Sequence, residues 1–587
     1  MKEFFQELLL PLDSNQKKSL LVLFFLALAS MVLVTAGVGA VLPIMVLVVE
    51  EDIYGKYPFL VPLLGYLGNP DRSTLLLIAV AVFFIVIALK VVTAFLILIK
   101  QKQLTAEIRI AVSDRLFRHI LSLPLSFHKG ENSAKIVRNL TSDISGHGRC
   151  LESSVVILSE GLVLIALISL LAIVDPLGLS IVSIIVGLIG AGYFRIIQPK
   201  ITQWGSKFRE EAALMVQHTQ QALGGIKEIK VLNRENFFSD LFRRSVNDMT
   251  HYERKYSVVQ AIPVNALELL IATSIFLLVL GGIIRGVEID QFLPALVLFV
   301  ASAIRLGPSL ARVAGAFQTL RYNRPAMQAL YERLRKDGDV VFEIPKTGVL
   351  MGVAKNWGKL EMSDLNFSYD DREEFALEKI NLTIHKGEAI GIVGESGSGK
   401  STLLDIILGL NENYDGRIAL DGVDLRHYRR EWQAGIGYVP QSVYLLDDSV
   451  KRNIALGITP EDVNEELLEN AIEKAQLSRF VATLEHGVDS IVGERGARIS
   501  GGQQQRIGIA RALYRSPTVL ILDEATSALD SETENEFMET VVAMQGTITM
   551  VIVAHRVSTL RRCDRLIRLR NGQIIGEGTY QDLIHDA

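Results

Sequence analysis

Gly394-Glu395-Ser396-Gly397-Ser398-Gly399-Lys400-Ser401 decides how the second half of this chain is read. The stretch has the form G-x-x-x-x-G-K-S. It follows an apolar run, Ala389-Ile390-Gly391-Ile392-Val393, and opens a helical pattern from Thr402 to Leu410. Strand, glycine loop and helix in that order make a phosphate cradle, because loop N–H groups and the positive end of the helix wrap an anion. Lys400 can reach the outer phosphates, and the Ser401 hydroxyl is suited to Mg2+. Residues Gly394 to Thr402 are therefore candidate ligands for a nucleoside triphosphate, ATP or GTP.

More than a hundred residues later, Val519-Leu520-Ile521-Leu522-Asp523-Glu524 reads as a buried strand ending in two acids. Asp523 is placed to hold Mg2+, and Glu524 stands where a base orients or deprotonates an attacking water. Ser500-Gly501-Gly502-Gln503-Gln504-Gln505-Arg506 is a second glycine turn opening a helix, which a P-loop acting within one subunit does not need.

The first half is a different material. The 587 residues exceed one domain, and 49% are hydrophobic although 21% are charged. Six apolar runs have the length of a membrane span: Leu20–Val49, Leu75–Ile99, Val155–Val174, Leu177–Ile197, Val258–Ile284 and Phe292–Val313. Segments 100–150 and 199–256 are long and rich in Lys and Arg, which places them, and both termini, in the cytoplasm. They extend the spans as helices, with breaks near Pro124–Ser133 and Gly224–Lys230. The external segment 51–73 carries Tyr54, Tyr57, Phe59 and Tyr66 among three prolines and reads as an amphipathic interfacial stretch or a packed loop. Domain limits follow: 1–325 in the membrane, 340–587 as a soluble α/β unit. A net charge of −5 gives no sign of nucleic-acid binding. Cys150 and Cys563 are the only cysteines, expected reduced and too few for a zinc site.

Lys90, Glu160, Glu268 and Arg305 lie within the expected spans. Ionisable residues there mark function by default. At about 1.5 Å per residue from the outer ends, each lies roughly 22–27 Å deep, in one layer near the cytoplasmic leaflet. Two readings follow. Lys90 and Arg305 line a cavity for a polar or anionic headgroup, or they pair with Glu160 and Glu268 between helices.

With this second glycine turn, the chain resembles an ATP-binding-cassette (ABC) exporter half-transporter over essentially its whole length. That resemblance implies an all-α six-helix transmembrane domain followed by a cytosolic α/β P-loop ATPase. It implies ATP and Mg2+ as ligands and hydrolysis coupled to transport. It further implies that Ser500, Gly501, Gly502 and Gln503 complete the ATP site of a partner subunit, which makes the working unit a homodimer. Tyr369 matches the adenine-stacking aromatic, Gln441 the glutamine that contacts Mg2+ and the membrane domain, Asp530 the D-loop acid, and His555 the switch histidine. Gly493-Glu494-Arg495-Gly496 resembles the exporter x-loop, and Ile499 replaces the usual leucine before Ser500.

Among exporters the chain is most similar to PglK-type flippases of lipid-linked oligosaccharides. The features are the external segment, the run Ile436 to Leu445, and Arg305 followed by Leu306-Gly307-Pro308-Ser309. Arg305 and Lys90 match basic cavity positions of that family, whereas a third is Val264 here. The resemblance implies an inner-membrane flippase for a polyprenyl-pyrophosphate-linked oligosaccharide. The rival readings are a lipid A or multidrug exporter of the same fold, and more distantly an ATP-gated channel or regulator.

Overall fold

The computed structural model describes residues 7–8, 12–49, 71–174, 176–284, 289–336, 357–369, 375–525, 531–554 and 557–584. Nearly all of the external segment expected at 51–73 lies outside these, as do Asp530 and His555. The described residues divide into two units. One comprises residues 1–123 and 131–342; the other comprises Pro124–Gly130 and 343–587.

The first unit is helical. Its long helices are α1 (Ser14–Gly39), α2 (Val41–Val49) and α3 (Arg72–Ser122). After the short α4 (Leu125–Gly130) and α5 (Ser133–Arg138) come α6 (Ile144–Val174) and α7 (Pro176–Gly224). The tip helix α8 (Ile226–Leu232), then α9 (Glu235–Ile284) and α10 (Ile289–Lys336), complete the set. Each expected span falls on helix; the first is divided between α1 and α2.

Local sequence sets the ends. Asp13 caps α1, accepting from the Gln16 backbone N–H at 2.8 Å while the Gln16 side chain accepts from Asp13 N–H. That is a capping box, which satisfies two otherwise orphaned donors. Helix α3 stops where Leu123 turns extended before Pro124, since a residue preceding proline avoids the helical region. Helix α8 ends at Asn233 in the left-handed conformation, φ 51°, a geometry asparagine tolerates.

One helix shows two solvents. On the C-terminal half of α3, Leu104, Ile108, Val112, Leu116 and Ile120 are buried at strict four-residue spacing. That is the single apolar stripe of a helix packed in water. On the N-terminal half, Leu77, Phe84 and Phe95 are each more than 60% exposed. So much exposed apolar surface has no stable place in water and fits hydrocarbon. Four described helical stretches, in α1–α2, α3, α5–α6 and α9, are long and apolar enough to cross a bilayer.

Below the spans, polar pairing holds the helices together. Asp143 is buried on a π-helical turn, Asn139–Asp143. Arg209 of α7 donates to both its oxygens at 2.8 Å, and Arg138 lies 3.6 Å away. A two-pronged guanidinium contact fixes both distance and orientation.

The second unit has two sheets. Strands β1 (Lys359–Phe367), β2 (Leu377–His385), β4 (Asp415–Leu420) and β5 (Val423–Asp424) form an antiparallel sheet in the order β2-β1-β4-β5. Strand β3 (Ala389–Gly394) joins β6 (Ile436–Val439), β7 (Val519–Asp523), β8 (Thr549–Val553), β9 (Arg565–Arg570) and β10 (Gln573–Gly578). Their order is β10-β9-β3-β8-β7-β6, parallel except for β10. Strands β7 and β8 are almost entirely buried, as expected for a parallel sheet covered on both faces. Helix α11 (Lys400–Ile407) follows β3, and α12 (Gly501–Tyr514) precedes β7.

Candidate nucleotide site and membrane charge cluster

A parallel sheet gathers its functional residues at the carboxyl ends of its strands. Here Gly394 ends β3, Asp523 ends β7, and Gln441 stands two residues beyond β6. Between β3 and α11 the loop turns through Gly397 (φ 81°) and Gly399 (φ 102°). A Cβ on Gly399 would meet the Ala376 carbonyl at 2.9 Å, in a conformation L residues rarely adopt. The Lys400 ammonium is held by the carbonyls of Gly394 and Glu395 at 2.9 and 2.8 Å. Ser398 is buried, and its carbonyl accepts from Gly572 N–H at 3.0 Å.

These residues open on a cavity of about 880 Å³ lined by Tyr369, Ser396, Gly397, Gly399, Lys400, Ser401, Thr402, Gln441 and Glu524. That volume lies within the ~300–1,000 Å³ of small-molecule sites. The Tyr369 ring packs edge-on to Phe367, and its hydroxyl shares a hydrogen bond with Thr402 at 3.1 Å. Gln441 donates to Glu524 at 2.5 Å. Glu524 adopts φ 51°, a left-handed backbone uncommon outside glycine.

Asp523 stands among like charges. Burial, followed by the charges of Glu524 and Asp405, pushes its carboxyl above the usual carboxylate range. Tyr438, half-buried beside Asp523 and Asp405, is pushed up to about 12. Clustered acids with a half-buried member are what a divalent cation relieves. The residues fit Mg2+, with Ser401, Gln441 and Asp523 as the groups that would hold it.

Phe375, Ala376, Glu378, Asn571 and Gly572 also line the cavity, and the sequence reading did not single them out. The last two form the turn between β9 and β10. Nothing local marks them; they arrive through sheet topology. Ser500, Gly501, Gly502 and Gln503 are not among the lining residues. Ser500 caps α12, accepting from Gln503 N–H at 3.3 Å while the Gln503 side chain accepts from Ser500 N–H at 2.8 Å. The motif is thus a preformed, capped helix N-terminus outside this cavity.

In the membrane unit, three of the four expected ionisable residues meet. Arg305 on α10 lies 3.9 Å from Glu160 on α6. Lys90 on α3 is within electrostatic reach of both. Arg312, two turns beyond Arg305, donates to Glu160 at 2.7 Å and also faces Lys90. Glu268 is exposed on α9. The pairing expectation therefore holds for Arg305 and Glu160 alone, and three cations surround one carboxylate. The Nε of Arg305 and one oxygen of Glu160 are buried without a hydrogen-bond partner.

Residues 377–527 match the family described as ABC transporter, and residues 59–301 match the ABC transporter transmembrane region. The chain is an ABC exporter half-transporter. The exporter is 28% identical over 524 residues to the "ATP-dependent lipid A-core flippase" of Pectobacterium atrosepticum, covering 88% of each chain. To the protein of that name from Pasteurella multocida it is 29% identical over 539 residues, 90% of each. A solved bacterial Atm1-family ABC exporter with ATP bound superposes with a TM-score of 0.78 at 22% identity, over 97% of this chain and 96% of that one. The fold is that of ABC exporters, and the second unit is an ABC-type ATPase domain.

Proposed function

We propose that this exporter flips a phosphate-bearing glycolipid across the inner membrane, driven by ATP hydrolysis in a homodimer. The observation that carries the reading is the charge cluster of Lys90, Arg305 and Arg312 around Glu160. One carboxylate cannot neutralise three cations in a low-dielectric layer, so the cluster favours an anion. Arginine offers phosphate a planar fork of donors and lysine a point charge. The names of the relatives point to lipid A-core. A polyprenyl-pyrophosphate-linked oligosaccharide presents the same phosphate chemistry, and lipid A now stands first because the relatives carry that activity in their names.

In this reading each residue of the site has a role in hydrolysis. Tyr369 stacks the adenine; Gly394 to Thr402 wrap the phosphates. Bound Mg2+ would neutralise phosphate charge. Gln441 donates to the Glu524 carboxylate, which orients the attacking water and takes its proton. Asp530 and His555 complete the site in this reading.

Two features support the homodimer. Ser500 to Gln503 stand outside their own chain's cavity. On and beside the α8 tip, Leu223 at the end of α7, Ile226, Val231 and Leu232 on α8, and Phe237 on α9 are exposed apolar side chains, a patch that a second copy would cover. The test is reconstitution into liposomes, comparing translocation of lipid A, polyprenyl-pyrophosphate oligosaccharide and an uncharged lipophilic drug. Transport of the drug alone would overturn the reading.

A further inference from the structure

Strand β2 is irregular where it passes the nucleotide cavity. Leu377 opposes Phe367 and Ile380 opposes Leu365, so Glu378 and Lys379 together stand against Asn366 alone. That is a β-bulge, which bends a strand and re-aims a side chain. Lys379 takes φ 50°, a left-handed backbone uncommon outside glycine, and its N–H donates to the Asn366 side chain at 2.9 Å. Leu377 and Ile380 stay fully buried in the core, while Glu378 lines the cavity of the phosphate loop.

Backbone hydrogen bonds tie Glu378 to that loop. Its N–H donates to the Gly572 carbonyl at 2.8 Å, and the Gly572 N–H donates to the Ser398 carbonyl at 3.0 Å. One Glu378 oxygen accepts from the Gln573 side chain at 2.8 Å. That partner is a neutral amide, so the negative charge remains. A carboxylate has the wrong sign for phosphate and, when ionised, can only accept hydrogen bonds. The donors on a nucleoside triphosphate are its ribose hydroxyls and the N–H groups of its base. The glycine loop fixes the phosphates, and Glu378 is joined to that loop through a single residue, Gly572. Ribose lies between phosphates and base, so its hydroxyls are the donors nearest to Glu378. Acidic side chains accept from ribose in the same way in dinucleotide-binding sheets.

We propose that Glu378, aimed by the bulge and held by Gln573, reads the ribose hydroxyls of the bound nucleotide and makes the site select ribonucleotides over deoxyribonucleotides. The inference rests on the reading of this cavity as an ATP site and does not depend on which lipid is carried.

The experiment is displacement of radiolabelled ATP, with Mg2+, from the full-length, lipid-reconstituted protein in a Glu524→Gln background that prevents turnover. The competitors are ATP, 2′-deoxyATP, 3′-deoxyATP and GTP. At least one deoxy analogue should bind about tenfold or more weakly than ATP, the ordinary worth of a hydrogen bond to a charged group. Adding Glu378→Ala should bring ATP and that analogue within about twofold of each other, because the cycle removes the shared contact. Gln573→Leu, which loosens the carboxylate without removing it, should leave a ratio in between. Each result is a ratio within one preparation, so partial loss of folded protein cancels. Equal binding of ATP and both deoxy analogues before Glu378 is changed overturns the proposal, and so does a ratio that survives Glu378→Ala. A shifted ATP-to-GTP ratio with the deoxy ratio intact also overturns it, by placing Glu378 at the base. Failure to bind ATP at all would bring down the nucleotide reading itself, whereas ATP binding without ribose selection brings down this inference alone.

Discussion

Gln441 and Glu524 are joined by a hydrogen bond of 2.5 Å across the carboxyl ends of two neighbouring strands, β6 and β7. The amide donates, so the carboxylate is oriented by a group on a different loop from its own. A base that must be aimed by a second loop should depend on its charge more than on its shape.

Glu524→Gln should accordingly keep ATP binding and lose turnover by about 10²–10⁴-fold, the usual worth of a general base. Equilibrium ATP binding and phosphate release on the same preparation check this. Turnover within a factor of ten of the parent would remove Glu524 from the role.

Composite sites predict complementation. Lys400→Ala disables a subunit's own cradle, and Ser500→Arg disables what it lends. Each homodimer should be inactive, whereas a heterodimer of the two retains one intact site. Tagged co-purification followed by ATPase assay reads the outcome; heterodimers no more active than either homodimer would contradict sharing.

Lys90→Ala combined with Arg305→Ala should lower lipid flipped per ATP hydrolysed by at least about tenfold, the loss of roughly 1.4 kcal/mol or more of headgroup interaction. Both quantities come from one reconstituted sample. If the two residues serve only to neutralise Glu160, the loss should appear as a lower melting temperature, with flipping per ATP unchanged in the surviving protein.

Asp523 gives a pH dependence with a definite sign. Its folded pKa is raised, so between the ordinary carboxylate value and the raised one the folded state binds more protons than the unfolded. Stability from this group is present at low pH and lost as pH rises through that window. A divalent cation binds the ionised form. Mg2+ should therefore raise the melting temperature more at about pH 7.5 than at about pH 5. Asp523→Asn should melt higher than the parent at neutral pH without Mg2+ and show no Mg2+ effect. An identical Mg2+ effect in that variant would show that the cation sits elsewhere.

What could be read from the chain, and what could not, divides by range. The phosphate loop is eight consecutive residues, and its chemistry is complete within them. The spans are continuous runs for the same reason. Arg312 was also within reach: it falls inside the expected span Phe292–Val313, seven residues from Arg305 and so on the same helical face. Asn571 and Gly572 were not, because they meet the loop only after β9 has paired with β3. The ion pair of Lys129 with Asp405, 2.8 Å, was hidden likewise, because the partners lie 276 residues apart.

The position of β3 sets an order of biosynthesis. Its two neighbours in the sheet, β8 and β9, are residues 549–553 and 565–570, and the turn that bonds Ser398 comes later still, at Gly572. At ribosomal rates of about 5–20 residues per second, the glycine loop waits roughly ten to thirty-five seconds for its supports. During that interval every membrane helix has already been made. The nascent chain is thus a bilayer protein before it can handle nucleotide, and a chain stopped before Gly572 would be inserted with its glycine loop lacking this support.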